Sequence, residues 1–212
     1  MSDLDAVSER LRQKFPSVRA PSDQIWSQCP ALKVIDCALS LNRHYDKVVS
    51  PRVQQFARTH PEIKELSDLR RLISRYESPL EFSKAELNYA DSRRADKLVG
   101  VLDCLLDLQR DFQGETEAER LEAWAAWARP GDYLTLSVRG FGLAGFQYLR
   151  MLFGAQTTKP DVHIVRFVSE IVGRKVSDVQ ALNLLERAAV RTGLPVRDLD
   201  VAIWEASART KE

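Results

Sequence analysis

Two glycines and one aspartate are the residues of this chain whose types and spacing most directly suggest chemistry. Gly140 and Gly142 stand two positions apart, between a short apolar segment and an apolar-periodic one. This pattern is typical of a tight turn between two helices, because glycine adopts positive φ angles without steric cost. Asp161 follows directly after Pro160, where a new helix is expected to begin. The sequence therefore predicts a backbone turn that can approach a phosphate, followed by a carboxylate at a helix N-terminus.

The composition is that of an ordinary soluble globular protein. The 212 residues are 44% hydrophobic and 29% charged, and a chain of this length can form one large domain or two small lobes around a cleft. No apolar run approaches the roughly 20 residues of a membrane span, and the start of the chain lacks the pattern of a signal peptide. We therefore expect a cytoplasmic monomer with no membrane partner.

The cysteine pattern argues against a metal or a disulfide framework. Cys29, Cys37 and Cys104 are well separated, so they form neither a zinc spacing nor an iron–sulfur spacing. Buried thiols in a reducing compartment are the simpler interpretation. We expect no metal and no cofactor.

Charge is distributed unevenly although the net charge is only +1. Basic residues dominate between Arg43 and Arg75, and acidic residues dominate from Glu77 to Glu122. A basic face with an acidic back is compatible with binding a polyanion. Solvated helix faces of either sign explain the same distribution equally well.

Helix signals run through the whole sequence, and no stretch shows sustained alternation of apolar and polar residues. The sequence predicts an all-α protein of about a dozen short helices. Two capping boxes are predicted, at Thr116 with Glu119 and at Ser177 with Gln180. A helical hairpin is predicted from Tyr133 to Val138 (capped by Asp132) and from Leu143 to Phe153. A closing helix is predicted from Asp198 or Asp200 onward.

The glycine hairpin, the helix that follows it and the segment 161–167 together resemble the helix-hairpin-helix (HhH-GPD) superfamily of DNA glycosylases. Endonuclease III and the adenine, 8-oxoguanine and alkyladenine glycosylases belong to it. In that family the hairpin is followed at this distance by an aspartate in an Asp-Thr-His-hydrophobic-x-Arg context. Asp161 takes that position here, with His163 and Arg166 in register. Weaker resemblance extends to residues 38–42, 94–108 and 198–208.

The resemblance implies a two-lobed helical fold with a cleft between the lobes. One lobe would comprise residues 31–155 and contain the hairpin. The other would comprise residues 1–30 and 156–212 and carry Asp161 at the cleft. The implied function is a DNA glycosylase that binds double-stranded DNA, flips out a damaged or modified base and hydrolyses its N-glycosidic bond. The abasic site that it leaves would belong to base excision in DNA repair or to antiviral defence against modified foreign DNA.

Departures from the family pattern narrow that expectation. Members with lyase activity carry a lysine on the second hairpin helix, where this chain has Ala144. The resemblance therefore implies a monofunctional enzyme without AP-lyase activity. No cysteine follows Cys104, so the iron–sulfur cluster of some relatives is not expected. Arg139 replaces the usual proline before the first glycine, and it can add a phosphate contact.

The resemblance assigns a role to each candidate site residue. Asp161 would stabilise the oxocarbenium-like transition state and orient the attacking water, although a plain helix cap is the alternative for a single aspartate. The expected DNA contacts are Arg139, Gly140, Phe141, Gly142, Leu143, Ala144, Gly145, Asn42 and Arg43. Asn42 matches the family position that fills the gap left by the flipped nucleotide, and a helix C-cap explains it equally well.

Aromatic residues and histidines supply the expected base pocket. The candidates are His44, Tyr45, Trp124, Trp127 and Tyr133, with Trp26 as a further aromatic to test. Tryptophans at helical spacing are alternatively core residues. His163 and Arg166 are expected to be structural. Two other functions stay open, a non-catalytic helix-hairpin-helix DNA-binding protein and a purely structural or partner-binding helical protein.

Overall fold

Every regular element is a helix in the computed structural model, which describes residues 2–18, 29–41 and 43–209. The prediction of an all-α protein is confirmed. Short helices of other types occur at Tyr45–Val49, which is a π-helical turn, and at Gln109–Asp111 and Pro130–Leu134, which are 3₁₀ helices. The α-helices are α1 (Asp3–Lys14), α2 (Pro30–Ser40), α3 (Ser50–Thr59), α4 (Leu66–Ile73), α5 (Pro79–Leu87), α6 (Ser92–Leu108), α7 (Glu117–Trp127), α8 (Leu143–Leu152), α9 (Val162–Val172), α10 (Asp178–Thr192) and α11 (Val196–Arg209).

Local hydrogen bonds fix where several helices begin. Thr116 accepts from the backbone N–H of Glu119, whose carboxylate accepts from the N–H of Thr116 in return. Ser177 and Gln180 form the same reciprocal pair at the start of α10. Both capping boxes were predicted from the sequence and are confirmed, because each depends only on residues three positions apart.

The first hairpin helix was predicted wrongly. Instead of an α-helix over Tyr133 to Val138, the chain forms the 3₁₀ helix Pro130–Leu134, a turn at residues 135–136 and then irregular backbone with Ser137 at φ 52°. Asp132 accepts a hydrogen bond from the backbone N–H of Arg129 at 2.7 Å. The carboxylate thus closes the turn that begins at the proline, rather than opening a helix after it.

The start of the last helix was also predicted too late. Helix α11 begins at Val196, directly after Pro195, whose carbonyl accepts from the N–H of Leu199 at 3.0 Å. Asp198 lies in the first turn and Asp200 lies further inside the helix. Asp200 is therefore not a helix cap, and its side chain is buried.

Buried apolar side chains form two clusters. The larger cluster comes from helices α2 to α8, and its fully buried side chains include Phe56, Phe82, Leu102 and Phe146. The smaller cluster joins α1 to α9, α10 and α11 through side chains that include Val7, Leu11, Val168 and Leu185. Burying a side chain of this size contributes about 1.5–3 kcal/mol. Each cluster therefore has a hydrophobic core of its own.

Polar side chains occupy the boundary between the two clusters. Gln147 of α8 donates to the Thr157 hydroxyl at 2.6 Å, and Thr157 donates to Glu186 of α10. Arg150 donates to Gln147 at 2.8 Å and to the Ala125 carbonyl at 3.1 Å. Burial raises the pKa of Glu186, while the Thr157 hydrogen bond and the Arg150 charge oppose that rise. This chain of bonds anchors residues 154–161, the crossing segment, which leads from α8 to α9.

The length and the apolar content of a helix decide whether it can cross a membrane. In the part of the chain that the structure describes, no helix is both long enough and apolar enough to cross a membrane.

Candidate functional site

Asp161 is the N-cap residue of α9, and its two carboxylate oxygens have different surroundings. Oδ1 accepts from the backbone N–H of His163 at 2.8 Å and of Ile164 at 3.4 Å, which satisfies donors that a helix start leaves unpaired. Oδ2 lies 3.9 Å from Nζ of Lys159, and the Asp161 side chain is 25% exposed. One oxygen is thus fixed by the helix, while the other faces a charged and partly open environment.

Lys159 connects Asp161 to the larger cluster. Its Nζ lies 4.5 Å from the ring centroid of Tyr148 on α8, within the range of a cation–π interaction. Its side chain is 19% exposed. The ammonium group therefore lies between an aromatic face and the Asp161 carboxylate, at the point where α8 and the start of α9 approach each other.

Asp36 is the centre of a buried hydrogen-bond network on α2. Tyr148 donates to Oδ1 at 2.8 Å, Ser40 donates to Oδ1 at 3.0 Å, and Tyr45 donates to Oδ2 at 2.7 Å. Asp36 is completely buried. Burial raises the pKa of Asp36, against the three hydroxyl hydrogen bonds and the Lys159 charge, which lower it. We call Tyr45, Asp36, Tyr148, Lys159 and Asp161 the boundary network.

Asp200 pins the crossing segment to α11. Its Oδ1 accepts from the backbone N–H of Lys159 at 2.8 Å and from the hydroxyl of Thr158. Burial is the main reason that the pKa of Asp200 is raised to about 7, and the Asp161 charge adds to that rise. Asp200 thus fixes the backbone from which the Lys159 side chain projects, two residues before Asp161.

The glycine hairpin precedes α8. Gly140 has φ +72°, so it occupies the left-handed region that glycine enters at low cost. Gly142 has an extended backbone and is the N-cap of α8, where no side chain caps the helix. A Cβ atom built on Gly142 would meet nothing within 4 Å. The backbone at this helix start is therefore open to a close approach.

Lys97 of α6 lies beside the hairpin, a position that the sequence did not indicate. A Cβ built on Gly140 would stand 2.9 Å from Cε and 3.1 Å from Nζ of Lys97. Burial lowers the pKa of Lys97, and the charges of Arg93 and Arg94 add to that effect. Lys97 and Arg139, which is exposed next to Gly140, place positive charge beside the hairpin, which suits an anion.

We expect Gly140→Ala to lower the free energy of unfolding by about 1–2 kcal/mol, because a side chain is strained at this positive φ. The flexible end of Lys97 can move away, so the strain lies mainly in the backbone. Gly131→Ala is the matched control, since a Cβ there meets nothing within 4 Å and its φ is not positive. Urea unfolding of both variants measures the difference. Equal stabilities would show that the turn at Gly140 does not require glycine.

The hairpin residues that were predicted to contact DNA differ in whether their side chains are buried or exposed. Phe141 and Leu143 are buried, and a Cβ on Gly145 would press against the Phe141 ring at 2.9 Å. The side chains of Phe141 and Leu143 pack inside the protein, so a DNA contact at these two positions would be made by their backbone. What the segment from Gly140 to Ala144 presents is backbone, with the side chain of Arg139 beside it.

The turn after α2 carries the other predicted DNA contacts. Arg43 is exposed, and its Nε donates to the hydroxyl of Tyr89 at 2.9 Å, with Asp91 3.8 Å away. Asn42 lies outside the described residues, as does Trp26. Arg94 donates to the carbonyls of Ala38, Leu39 and Leu41, and thereby fixes the end of α2 from which this turn leaves.

The predicted base pocket is brought together only in part. Trp124 is 2% exposed and packs edge-on against Phe146 and Phe153, so the expectation that it stacks on a base is wrong. Trp127 is 68% exposed and contacts Phe112. Tyr133 is half-buried against the larger cluster, and His44 is exposed. Of the five candidates, Tyr45 is the one that the described contacts link to the Asp161 region.

The side chains of the two residues that accompany Asp161 in the motif make no hydrogen bond to the boundary network among the described residues, although the backbone N–H of His163 donates to Asp161. Arg166 is exposed. His163 is half-buried, and its Nδ1 is buried with no hydrogen-bond partner in the described part of the chain. Both stay predicted structural residues.

Besides Lys97, four residues of the site were missed from the sequence, and two of these four left a signal. Asp36 stands within the apolar run from Val34 to Leu39, and an acid on an otherwise apolar helix face points to a buried polar group. Lys159 stands two residues before Asp161. Tyr148 and Asp200 carry no comparable local pattern. No group of three His, Cys, Asp or Glu side chains within the described ranges is arranged to hold a metal ion.

Comparison with known protein families gives a match to the C-terminal part of the chain. Residues 132–208 are similar to a family described as a domain of unknown function (DUF8548). That segment is just over a third of the chain, and it includes the glycine hairpin, the crossing segment, Asp161 and Asp200. No curated protein and no solved structure matches the chain.

Proposed function

We propose that this protein is a monofunctional DNA glycosylase of the helix-hairpin-helix type, two-lobed, with its active site at the boundary of the two hydrophobic clusters. The observation that carries the proposal is the position of Asp161. It is the last residue of the crossing segment and caps the next helix. One of its oxygens is fixed by backbone N–H groups, and the other lies beside Lys159 on a partly exposed side chain. A carboxylate held in this way can act on a sugar that enters the boundary.

The hairpin supplies the DNA-binding half of the proposal. An uncapped helix start carries unpaired N–H groups and a partial positive charge, which favours a phosphate. The open space at Gly142 permits its close approach, and Lys97 and Arg139 add positive charge. Because the hairpin leads into α8 and α8 leads into the crossing segment, a phosphate bound at Gly142 would be in fixed relation to Asp161.

The chemistry requires a flipped nucleotide, since a base inside a duplex is out of reach. Cleavage of the bond between sugar and base builds positive charge on the sugar, and the Asp161 carboxylate would stabilise that charge and orient a water molecule. The separation of 3.9 Å between Lys159 and Asp161 is longer than a hydrogen bond. A bound sugar can therefore reach Oδ2 without breaking a strong interaction.

The absence of lyase activity remains part of the proposal, even though Lys159 places an amine near Asp161. A lyase step needs a neutral amine that attacks the sugar. Lys159 lies in the crossing segment and not on the second hairpin helix, where Ala144 stands at the position of the lyase lysine. The proposal therefore keeps the monofunctional assignment.

The test uses end-labelled duplexes that contain uracil, hypoxanthine, 8-oxoguanine, 7-methylguanine or 5-hydroxymethylcytosine. We expect strand breaks after alkali, which cleaves abasic sites, and no breaks without it. Breaks without alkali would refute the monofunctional assignment. The panel includes damaged bases and a modified base of foreign DNA, so the base released also separates repair from defence.

A salt titration of duplex binding separates the alternatives. Phosphate contacts require affinity that falls steeply as the salt concentration rises. Salt-dependent binding without any abasic product would favour the non-catalytic DNA-binding protein. Binding that is absent at low salt would leave a structural or partner-binding role instead.

A further inference from the structure

The ammonium group of Lys159 is held in place without the use of its hydrogen-bond donors. Its Nζ makes a cation–π contact with the ring of Tyr148, and its separation of 3.9 Å from Oδ2 of Asp161 is longer than a hydrogen bond. Among the described residues, this nitrogen donates to no acceptor. The three N–H donors of the ammonium are therefore available to a bound anion.

Both ends of the Lys159 side chain have fixed surroundings. At the backbone, the N–H of Lys159 donates to the buried Asp200 at 2.8 Å, and its carbonyl accepts from the N–H of Asp161 at 2.7 Å. At the ammonium, the Tyr148 ring is held by the bond of 2.8 Å from its hydroxyl to Asp36. A cation that is held in advance loses little conformational freedom when a ligand binds.

The acids around Lys159 differ in what a ligand can reach. Asp36 and Asp200 are buried, and both accept hydrogen bonds from donors inside the protein. Lys159 and Asp161 are partly exposed. The boundary network therefore presents one positive and one negative group to a ligand, side by side.

This pair of charges is complementary to a single nucleotide during cleavage. The sugar becomes positive as its bond to the base breaks, and the phosphates attached to the same sugar are negative. When Asp161 faces the sugar, the ammonium beside it is placed to meet one of those phosphates. Lysine binds phosphate as a point charge, which suits a group with no fixed hydrogen-bond partner.

We infer that Lys159 binds a phosphate that flanks the flipped nucleotide and thereby holds the sugar against Asp161. The inference rests on the proposed glycosylase function. The hairpin from Gly140 to Gly142 would bind another phosphate of the duplex, so the DNA is held at two points. Lys159 contacts the substrate and moves no proton, and its contribution is the position of the sugar.

The test removes the charge from each partner in turn. Lys159→Met keeps the apolar stem and removes the ammonium, and a neutral methylphosphonate replaces the phosphate on the 5′ or the 3′ side of the target nucleotide. The duplex is the one of the panel above from which base is released. We expect either change alone to lower the second-order rate constant of single-turnover release by about 10–100-fold, the effect of a hydrogen bond between charged groups. At one of the two flanking phosphates, both changes together should cost no more than either alone, because they remove the same contact.

Two variants control for effects other than the contact. Lys159→Arg keeps the positive charge and should release base within about threefold of the unmodified rate. Lys175→Met removes an exposed lysine that follows the other end of α9. We expect Lys175→Met to lose as much rate as the unmodified protein when the methylphosphonate is introduced.

The outcomes separate this inference from the proposed function. Losses that multiply at both flanking phosphates would overturn the inference and leave the proposed function standing. The same holds if Lys159→Met releases base at the unmodified rate, or if the unmodified protein tolerates a methylphosphonate on either side. A protein that releases no base from any duplex would overturn both.

Discussion

Asp161→Asn should lower the rate of base release by about 10²–10⁴-fold, or roughly 3–5 kcal/mol of transition-state stabilisation, while duplex binding is retained. The reason is the charge of the carboxylate. A neutral amide cannot stabilise the positive sugar, and it accepts no proton from the attacking water. The hairpin, which would bind the phosphate, is untouched by this change.

Asparagine is the informative replacement because it preserves the local structure. Its side-chain oxygen can keep the hydrogen bonds from His163 and Ile164, and asparagine is as good an N-cap as aspartate. The lost interaction with Lys159 is long and partly exposed, so it contributes less than about 1 kcal/mol. Any large loss of activity can thus be assigned to the charge rather than to unfolding of α9.

The measurement is single-turnover base release together with duplex affinity, both at the same salt concentration. Asp178→Asn is the control, because it also removes one negative charge near the start of a helix, on the exposed surface of α10. We expect the control to match the unmodified protein in both assays. If Asp161→Asn releases base at a rate within about threefold of the unmodified protein, the assignment of Asp161 as the catalytic residue is wrong.

Features that depend on neighbouring residues could be predicted from the sequence. The helix start at Asp161 and the capping boxes at Thr116 and Ser177 each involve partners within three positions. The turn at Gly140 follows from the conformational freedom of one residue. These elements were predicted because the physical cause and its effect lie in the same short segment.

The rest of the site depends on contacts between distant segments. Asp36 and Tyr148 are 112 positions apart and meet because α2 and α8 pack together. Trp124 was a candidate for the pocket until the packing of α7 on α8 placed it among Phe146 and Phe153. No local pattern distinguishes a tryptophan in a core from one in a cleft, so this choice needed the tertiary structure.

Asp200 shows why the misplaced helix boundary matters for function. Taken as a helix cap, it would be a solvated surface acid. With α11 beginning at Val196, it becomes a buried acceptor for the backbone of Lys159 and the hydroxyl of Thr158. A shift of a few residues in one predicted boundary thus moves a carboxyl group from the surface into the support of the site.

Asp200→Asn should make the protein more stable by up to about 4 kcal/mol at pH 8 and by only about 1–2 kcal/mol at pH 5. The pKa of Asp200 is raised to about 7 from the ordinary value of 3.8. Between these values the folded protein keeps a proton that the unfolded chain releases. The free energy of unfolding therefore falls as pH rises from about 4 to about 7, and asparagine removes this contribution while its oxygen can still accept from Thr158 and Lys159.

Urea unfolding of both proteins at pH 5 and pH 8 tests this prediction, because the difference between the two pH values cancels effects that do not titrate. Burial also raises the pKa of Asp36 and Glu186. Their contributions to the pH dependence of the free energy of unfolding are the same in both proteins and therefore cancel in the comparison. Asp198→Asn, on the same helix but half-buried, controls for the loss of a charge from α11. An Asp200→Asn protein that is destabilised equally at both pH values would show that the carboxyl group is held for its hydrogen bonds and stays ionised.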